Sequence, residues 1–355
     1  MPVDARPYDA LLLVSFGGPE KADDVLPFLE IVTAGKGIPR SRLAEVGEHY
    51  FRFGGKSPMN DQCRELMGAI RADFATSGLD IPVYWGNRNW DPFLGDTIAQ
   101  MEADGIRRAA CFVTSAYASY SGCRQYREDL FAASVDSPVQ LDRLRHYFNH
   151  PGFIEPFVEA TATALSGLPD NARIVFVTHS LPTAMNAASG GPDAFAYERQ
   201  HQDVAQDVSG RVGSQLGRHV DSSMAYCSRS GPPSMPWLTP DINDHLATLR
   251  AEGATAVAVA PIGFISDHME VIFDLDTEAS ATAKDLGMDL VRVATPGTDP
   301  RFVSMIRGLF VERAAAERGE RPDRLAVGTL GVSPDRCAAN CCANARSSLP
   351  TIGDA

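Results

Sequence analysis

Arg173-Ile174-Val175-Phe176-Val177-Thr178-His179-Ser180-Leu181-Pro182 reads as a strand that ends on a histidine and a proline-marked turn. Its β-rich run is unbroken by polar alternation, the habit of parallel strands covered by helices on both faces. Working outward, short apolar runs predict further strands over 10–16, 82–85, 108–114 and 139–144, and again over 222–228, 256–261 and 289–294. Helical periodicity fills the intervals, predicting helices over 23–31, 42–53, 61–74, 94–104, 124–133, 152–165, 197–216, 242–252, 267–286 and 300–318. The eight units split evenly at His150-Pro151. The predicted class is therefore α/β, two Rossmann-like doubly wound parallel-sheet lobes with a cleft between them, and a TIM barrel is the alternative topology.

The chain has 355 residues, 32 Lys+Arg against 45 Asp+Glu, and a net charge of −13. At roughly 100–200 residues per domain that length suits two lobes. The negative balance opposes nucleic acid and anionic membranes as partners and favours small cations. No apolar run nears the ~18 residues of a membrane span. The opening Met1-Pro2-Val3-Asp4-Ala5-Arg6 lacks a signal-peptide core, so a cytoplasmic protein is expected. Cysteines stand at 63, 111, 123, 227, 337, 341 and 342, an odd count that argues against a disulfide framework.

Ligands of open α/β sheets sit beyond the carboxyl ends of strands, so the post-strand segments matter most. Phe53-Gly54-Gly55-Lys56-Ser57-Pro58 lacks the leading glycine and the preceding strand of a phosphate loop; it is a turn, or a loop whose Ser57 and Tyr50 bond an anionic ligand. Phe16-Gly17-Gly18-Pro19 lacks the third glycine of a dinucleotide fingerprint and permits only close backbone approach. His179, placed between a strand and Pro182, should face the crevice, where a neutral imidazole can accept a proton or bind a borderline metal ion. The plainer reading is a histidine bonded to local backbone.

After the strand over 256–261, Glu270, Asp274 and Glu278 recur at i, i+4 and i+8, one continuous face of a helix. Like charges so spaced destabilise a helix by a few tenths of a kcal/mol per pair, a sign that a divalent cation would reverse. A solvated acidic face is the bland alternative. Joined to His179, the row suits moving a metal one way and protons the other. In the tail, Cys337, Cys341 and Cys342 form a C-x3-C-C cluster that lacks a fourth ligand for a [2Fe–2S] centre or a structural zinc, and Cys123, in a post-strand loop, is the best candidate. From about Gly319 periodicity fades, and the tail should be floppy unless something ties it down.

Five segments together resemble the ferrochelatase family: Ser15-Phe16-Gly17-Gly18-Pro19-Glu20, Gly54-Gly55-Lys56-Ser57-Pro58, Thr178-His179-Ser180-Leu181-Pro182, Ser230-Gly231-Pro232-Pro233-Ser234-Met235-Pro236-Trp237-Leu238 and Ser266-Asp267-His268-Met269-Glu270. The resemblance runs from about Leu11 to Arg318. It implies a chelatase-like fold whose last helix returns to the first lobe, giving lobes over 8–150 plus 299–318 and over 151–298, with a Cys-containing tail over 319–355. It implies that a porphyrin lies in the cleft, that His179 and Glu270 handle ferrous iron and pyrrole protons, and that Asp274 and Glu278 continue an acidic path. Phe16, Tyr50, Ser57, Tyr120, Tyr126 and Trp237 lie in segments similar to those that contact the ring. Cys123, Cys337, Cys341 and Cys342 match the members that carry a [2Fe–2S] cluster, which favours iron–sulfur over zinc.

The wording of the N-terminal half and the tail looks most like actinobacterial members, understood to metallate coproporphyrin III rather than protoporphyrin IX. The lack of a hydrophobic lip between Glu20 and Arg40 agrees with that. Phe16 stands where many such relatives carry tyrosine, so no phenolic iron ligand can come from it. The expected reaction is Fe²⁺ + porphyrin → metalloporphyrin + 2 H⁺, a lyase-class step of haem biosynthesis with Fe²⁺ as substrate, carried out by a monomer that touches neighbouring haem-pathway enzymes only transiently. The alternatives are a protoporphyrin IX enzyme, a sirohydrochlorin or cobalt chelatase, and a non-catalytic haem or iron sensor on the same fold.

Overall fold

The computed structural model describes residues 3–231, 234–344 and 348–353; Pro232 and Pro233 of the fourth quoted segment lie outside them. Strands β1 (Ala10–Ser15), β2 (Val83–Asn87), β3 (Arg108–Val113) and β4 (Gln140–Arg143) form one parallel sheet in the order β2-β1-β3-β4. Strands β5 (Arg173–His179), β6 (Ser222–Cys227), β7 (Ala256–Ala260) and β8 (Asp289–Arg292) form a second, in the order β6-β5-β7-β8. Two sheets of one topology, each flanked by helices, are the predicted doubly wound lobes, and the barrel is excluded.

The unbroken apolar strands follow from burial on both faces. On β1, Leu11 and Leu13 enter one core while Ala10, Leu12 and Val14 enter another; on β5, Ile174 and Phe176 point one way, Val175 and Val177 the other. The inner faces share a single core across both lobes, in which Phe112, Phe153, Phe176 and Phe302 are wholly buried. The lobes therefore have separate outer cores and a common inner one. Helix Pro300–Glu317, started by Pro300 with the Asp299 carboxylate accepting from the Arg301 N–H at 2.8 Å, belongs to this inner layer. Its Phe310 packs on Phe74 and Tyr8 and its Phe302 on Phe112 and Phe153. At about 1.5–3 kcal/mol for each fully buried side chain, these rings fasten the last helix to both halves.

One expectation is corrected. The predicted helix over 267–286 is a turn at Met269–Val271, a π-helix over Ile272–Ala279 and an α-helix over Ser280–Asp285. Val271, Leu275 and Ala279, at a strict spacing of four, all enter the second lobe's outer core. A spacing of four misses a full turn by about as much in the wider i→i+5 geometry as in an α-helix, so both put this row on the face toward the core and the spacing does not distinguish them. The tail, expected to be floppy unless something ties it down, is tied down by hydrogen bonds. Asp203 accepts from the Thr329 N–H at 2.8 Å and hydroxyl at 2.6 Å, Asn149 Nδ2 donates to the Gly331 carbonyl at 2.7 Å, and Arg127 Nε donates to the Ile352 carbonyl at 2.8 Å. Polar partners in both lobes take the place of an apolar face, which is why periodicity fades there without loss of order. Among the described residues no helix is long and apolar enough to cross a membrane.

Candidate active site and cysteine centre

In each sheet the chain runs outward to one side of its first strand and then crosses to the other, so the switch point lies between β5 and β7 in the second lobe. His179 ends β5 and Glu270 follows β7, on either side of that point. The imidazole Nδ1 lies 2.5 Å from the Ser180 carbonyl. A carbonyl only accepts, so Nδ1 carries the hydrogen and Nε2 is the nitrogen with a lone pair to offer. The Ser180 N–H donates in turn to the Cys227 carbonyl at 2.8 Å, fixing the peptide after His179 to β6.

Glu270 lies between two imidazoles. His268 Nδ1 forms an ion pair with its carboxylate, and His179 is close enough for its charge to act there as well. Burial raises the Glu270 carboxyl, but the His268 charge and hydrogen bond and then His179 outweigh it and bring it down to about 2. The side chain is still 42% exposed. Burial lowers His268, and the Glu270 carboxylate, with Asp267 and Asp274, more than restores it, so that His268 titrates above its ordinary range. Four residues on, Asp274 accepts from the Ser228 hydroxyl. Burial, then the neighbouring Glu270 and Glu278 charges, push its carboxyl up to about 7 despite that bond. Glu278 completes the row at the exposed end.

The opposite wall comes from the first lobe. Phe28 meets Phe16, Tyr50 and Trp90 edge-on at 6.2, 6.0 and 6.2 Å. Helix Arg40–Phe51 carries His49 across the gap to stack on Phe273 at 3.9 Å, and Arg52 lies over the same ring. Burial raises the Tyr50 hydroxyl and the Glu270 charge raises it further, a measure of how near the two walls come. The glycine-rich loop is a turn: Gly55 has φ +76°, and a Cβ there would stand 2.3 Å from Ala22 Cα. Ser57 is 3% exposed and its hydroxyl accepts from the Met59 N–H. Tyr126 is 5% exposed, with the Arg88 guanidinium 4.4 Å over its ring, and Tyr120 donates to Glu128 at 3.0 Å. The segment ending in Trp237 folds onto the turn after His179: Pro182 pairs with Trp237, and the Leu238 N–H donates to the Leu181 carbonyl at 2.9 Å. Sequence reasoning missed His268, which helps hold Glu270 ionised, and Ser228, whose bond to Asp274 is outweighed there by burial; His268 stands two residues before Glu270, and that proximity was the available signal.

The structure brings the four cysteines together. Cys341 and Cys342 sulfurs are 3.8 Å apart, and Cys123, Cys337, Cys341 and Cys342 are near enough to shift one another's thiols. Cys123 enters this ring from a π-turn, Tyr120–Arg124, that follows β3. No three ligand-type residues among the described ones are already spaced around a single ion. The donor set nevertheless suits an anionic thiolate centre: the Arg143 guanidinium donates to Cys337 Sγ at 3.7 Å and the Gly190 N–H to Cys342 Sγ at 3.2 Å. Hydrogen bonds from Cys123 and Cys341 pull the Cys337 thiol well below its ordinary value.

Two similar lobes with an ionisable pair at one switch point and an aromatic wall opposite define a two-lobed α/β chelatase. The backbone is similar to that of SirB from Bacillus subtilis solved with Fe³⁺, with TM-score 0.52 at 12% identity, covering 87% of this chain and 97% of that one. The ferrochelatase model matches residues 8–314, and the chain belongs to the ferrochelatase family, whose members are metal-chelating enzymes of the lyase class. It is 53% identical to the coproporphyrin III ferrochelatase of Streptomyces griseus, over 99% of this chain and 97% of that protein, and 54% identical to that of Streptomyces coelicolor, over 99% and 98%. The ferrochelatase of Rhodopirellula baltica is 44% identical over 98% of this chain and 97% of its own length.

Proposed function

We propose that this enzyme inserts Fe²⁺ into coproporphyrin III, releasing two protons, and that His179 and Glu270 are its catalytic residues. The observation that carries the reading is a carboxylate kept ionised between two imidazoles at the head of an acidic row, facing an aromatic wall. Full charge at neutral pH suits Glu270 to draw a divalent cation out of water, not to store a proton. His179 Nε2, held in its basic tautomer, accepts the pyrrole protons. Asp274, poised at about 7, then takes and releases them, and Glu278 passes them to solvent. The flat ring lies against Phe16, Tyr50 and Trp237, with Tyr120 at its edge; Ser57 and Tyr126 support this wall from behind, because their own surfaces are covered. The two close relatives named for coproporphyrin III favour that ring over protoporphyrin IX.

The cysteine centre in this reading holds a [2Fe–2S] cluster on Cys123, Cys337, Cys341 and Cys342. It supplies a fastening of the tail and no step of the insertion. The enzyme acts as a cytoplasmic monomer. Anaerobic steady-state insertion with each ring tests the whole: coproporphyrin III is expected to turn over at least about tenfold faster than protoporphyrin IX, and His179→Ala to lose insertion while still quenching porphyrin fluorescence at near-parental affinity. Parental turnover in that variant sinks the assignment.

A further inference from the structure

The peptide between His179 and Ser180 is clamped from two sides. Its N–H goes to the Cys227 carbonyl, and its oxygen, the His179 carbonyl, accepts from the Tyr197 hydroxyl at 2.8 Å. The same hydroxyl lies 2.7 Å from Thr178 Oγ1. Having one hydrogen, already given to His179, Tyr197 must accept there, so the Thr178 hydroxyl donates. Tyr197 is 7% exposed, and its ring is held against Tyr117 and His201. Its orientation of the 179–180 peptide sets the next carbonyl, Ser180, which is the acceptor that fixes the imidazole tautomer.

The backbone of Tyr197 is itself anchored. Its N–H donates to the wholly buried Ser189 hydroxyl at 2.8 Å, and the next residue is Gly190, whose N–H donates to Cys342 Sγ. The loop between them is tight: Asp193 and Phe195 have φ +52° and +49°, and a Cβ on Gly190 would stand 2.6 Å from Ala196 Cβ. A continuous run of bonds thus leads from a tail cysteine through Gly190, Ser189 and Tyr197 to His179.

We propose that Tyr197 is the positioning residue for the His179 imidazole, and that the Gly190–Cys342 bond ties this positioning to the cysteine centre. The proposal rests on the reading of His179 as the pyrrole base; its cysteine end requires no particular occupant of the centre.

Tyr197→Phe keeps the ring and deletes one hydroxyl. The expected result is a fall in kcat of about tenfold with KM for porphyrin within about twofold, because a displaced base costs rate and not ring binding. The imidazole ¹⁵N signals of His179, assigned by their loss in His179→Ala, should lose the fixed Nδ1–H pattern in the phenylalanine variant. Parental kcat and unchanged ¹⁵N signals, with His179→Ala inactive, overturn the positioning role; an active His179→Ala overturns the reading beneath it instead. If Tyr197→Phe unfolds, Ser189→Ala, which spares the ring, must give the same signature. Cys342→Ala in the full chain, read by hydrogen exchange, tests the tie: faster exchange over 188–197 and at the Ser180 amide supports it, and a change confined to 337–344 overturns it.

Discussion

The two lobes are built on one plan and put it to different uses. β1 and β5 occupy the same place in sheets of the same order, yet β1 runs into Phe16 and two glycines while β5 runs into His179. After β3 and β7 the chain turns through a π-helical segment in both cases; Tyr120–Arg124 delivers Cys123, and Ile272–Ala279 delivers Asp274 and Glu278. Topology therefore decides where a side chain stands after each strand, and the residues placed there differ between the lobes: ionisable groups in the second, Phe16 and Cys123 in the first. The largest expected contrast is between the two strand ends. His179→Ala should lower iron insertion by about 10²–10⁴-fold, the range for a positioned base, whereas Phe16→Leu should cost less than about tenfold. Equal losses in an anaerobic insertion assay break the division of labour.

The paired crossovers sharpen it. Glu270→Gln leaves shape and removes the charge between two imidazoles, so insertion per unit of iron should fall by about 10²-fold with porphyrin affinity nearly unchanged. His268 should then titrate lower, because its main partner is gone. In the first lobe Cys123→Ser should abolish iron–sulfur absorption and lower the melting temperature by several degrees, with the tail cleaved earlier in limited proteolysis. The bonds from Asp203, Asn149 and Arg127 should still hold Thr329, Gly331 and Ile352 of the tail to the lobes. A serine variant with parental absorption removes Cys123 from the centre.

Much of this was legible in the sequence because it depends on local pattern. Strand runs such as Leu11-Leu12-Leu13-Val14 can only be buried on both faces, and a histidine between a strand and Leu181-Pro182 has few places to point. The acidic row was visible as a spacing; its helix type was not, because a spacing of four, shared by the apolar row Val271, Leu275 and Ala279, puts side chains on one face of an α-helix and of a π-helix alike. The order of the tail was illegible for another reason: its partners, Asp203 and Asn149, are more than a hundred residues away, and hydrogen bonds at that separation leave no periodicity. The same distance hid the Gly190 N–H that donates to Cys342 Sγ.

The smallest expected effect isolates a property the first lobe lacks, a carboxyl held near neutrality in the cleft. Asp274 titrates at about 7 in the folded protein against an ordinary 3.8, so the folded state keeps a proton that the unfolded chain gives up. Between roughly pH 4 and 7 the folded form binds more protons, and stability must fall as pH rises through that window and stay low above it. Asp274→Asn removes the titration. Its melting temperature should fall less than the parent's between pH 5 and 8, by a degree or two, and the limb of the kcat profile near pH 7 should flatten while KM for porphyrin holds. Stabilisation with an unchanged profile would make Asp274 a strained carboxylate and nothing more. A flattened profile would show that the second lobe gives up stability at neutral pH to keep a proton carrier beside Glu270, something the aromatic wall opposite never has to do.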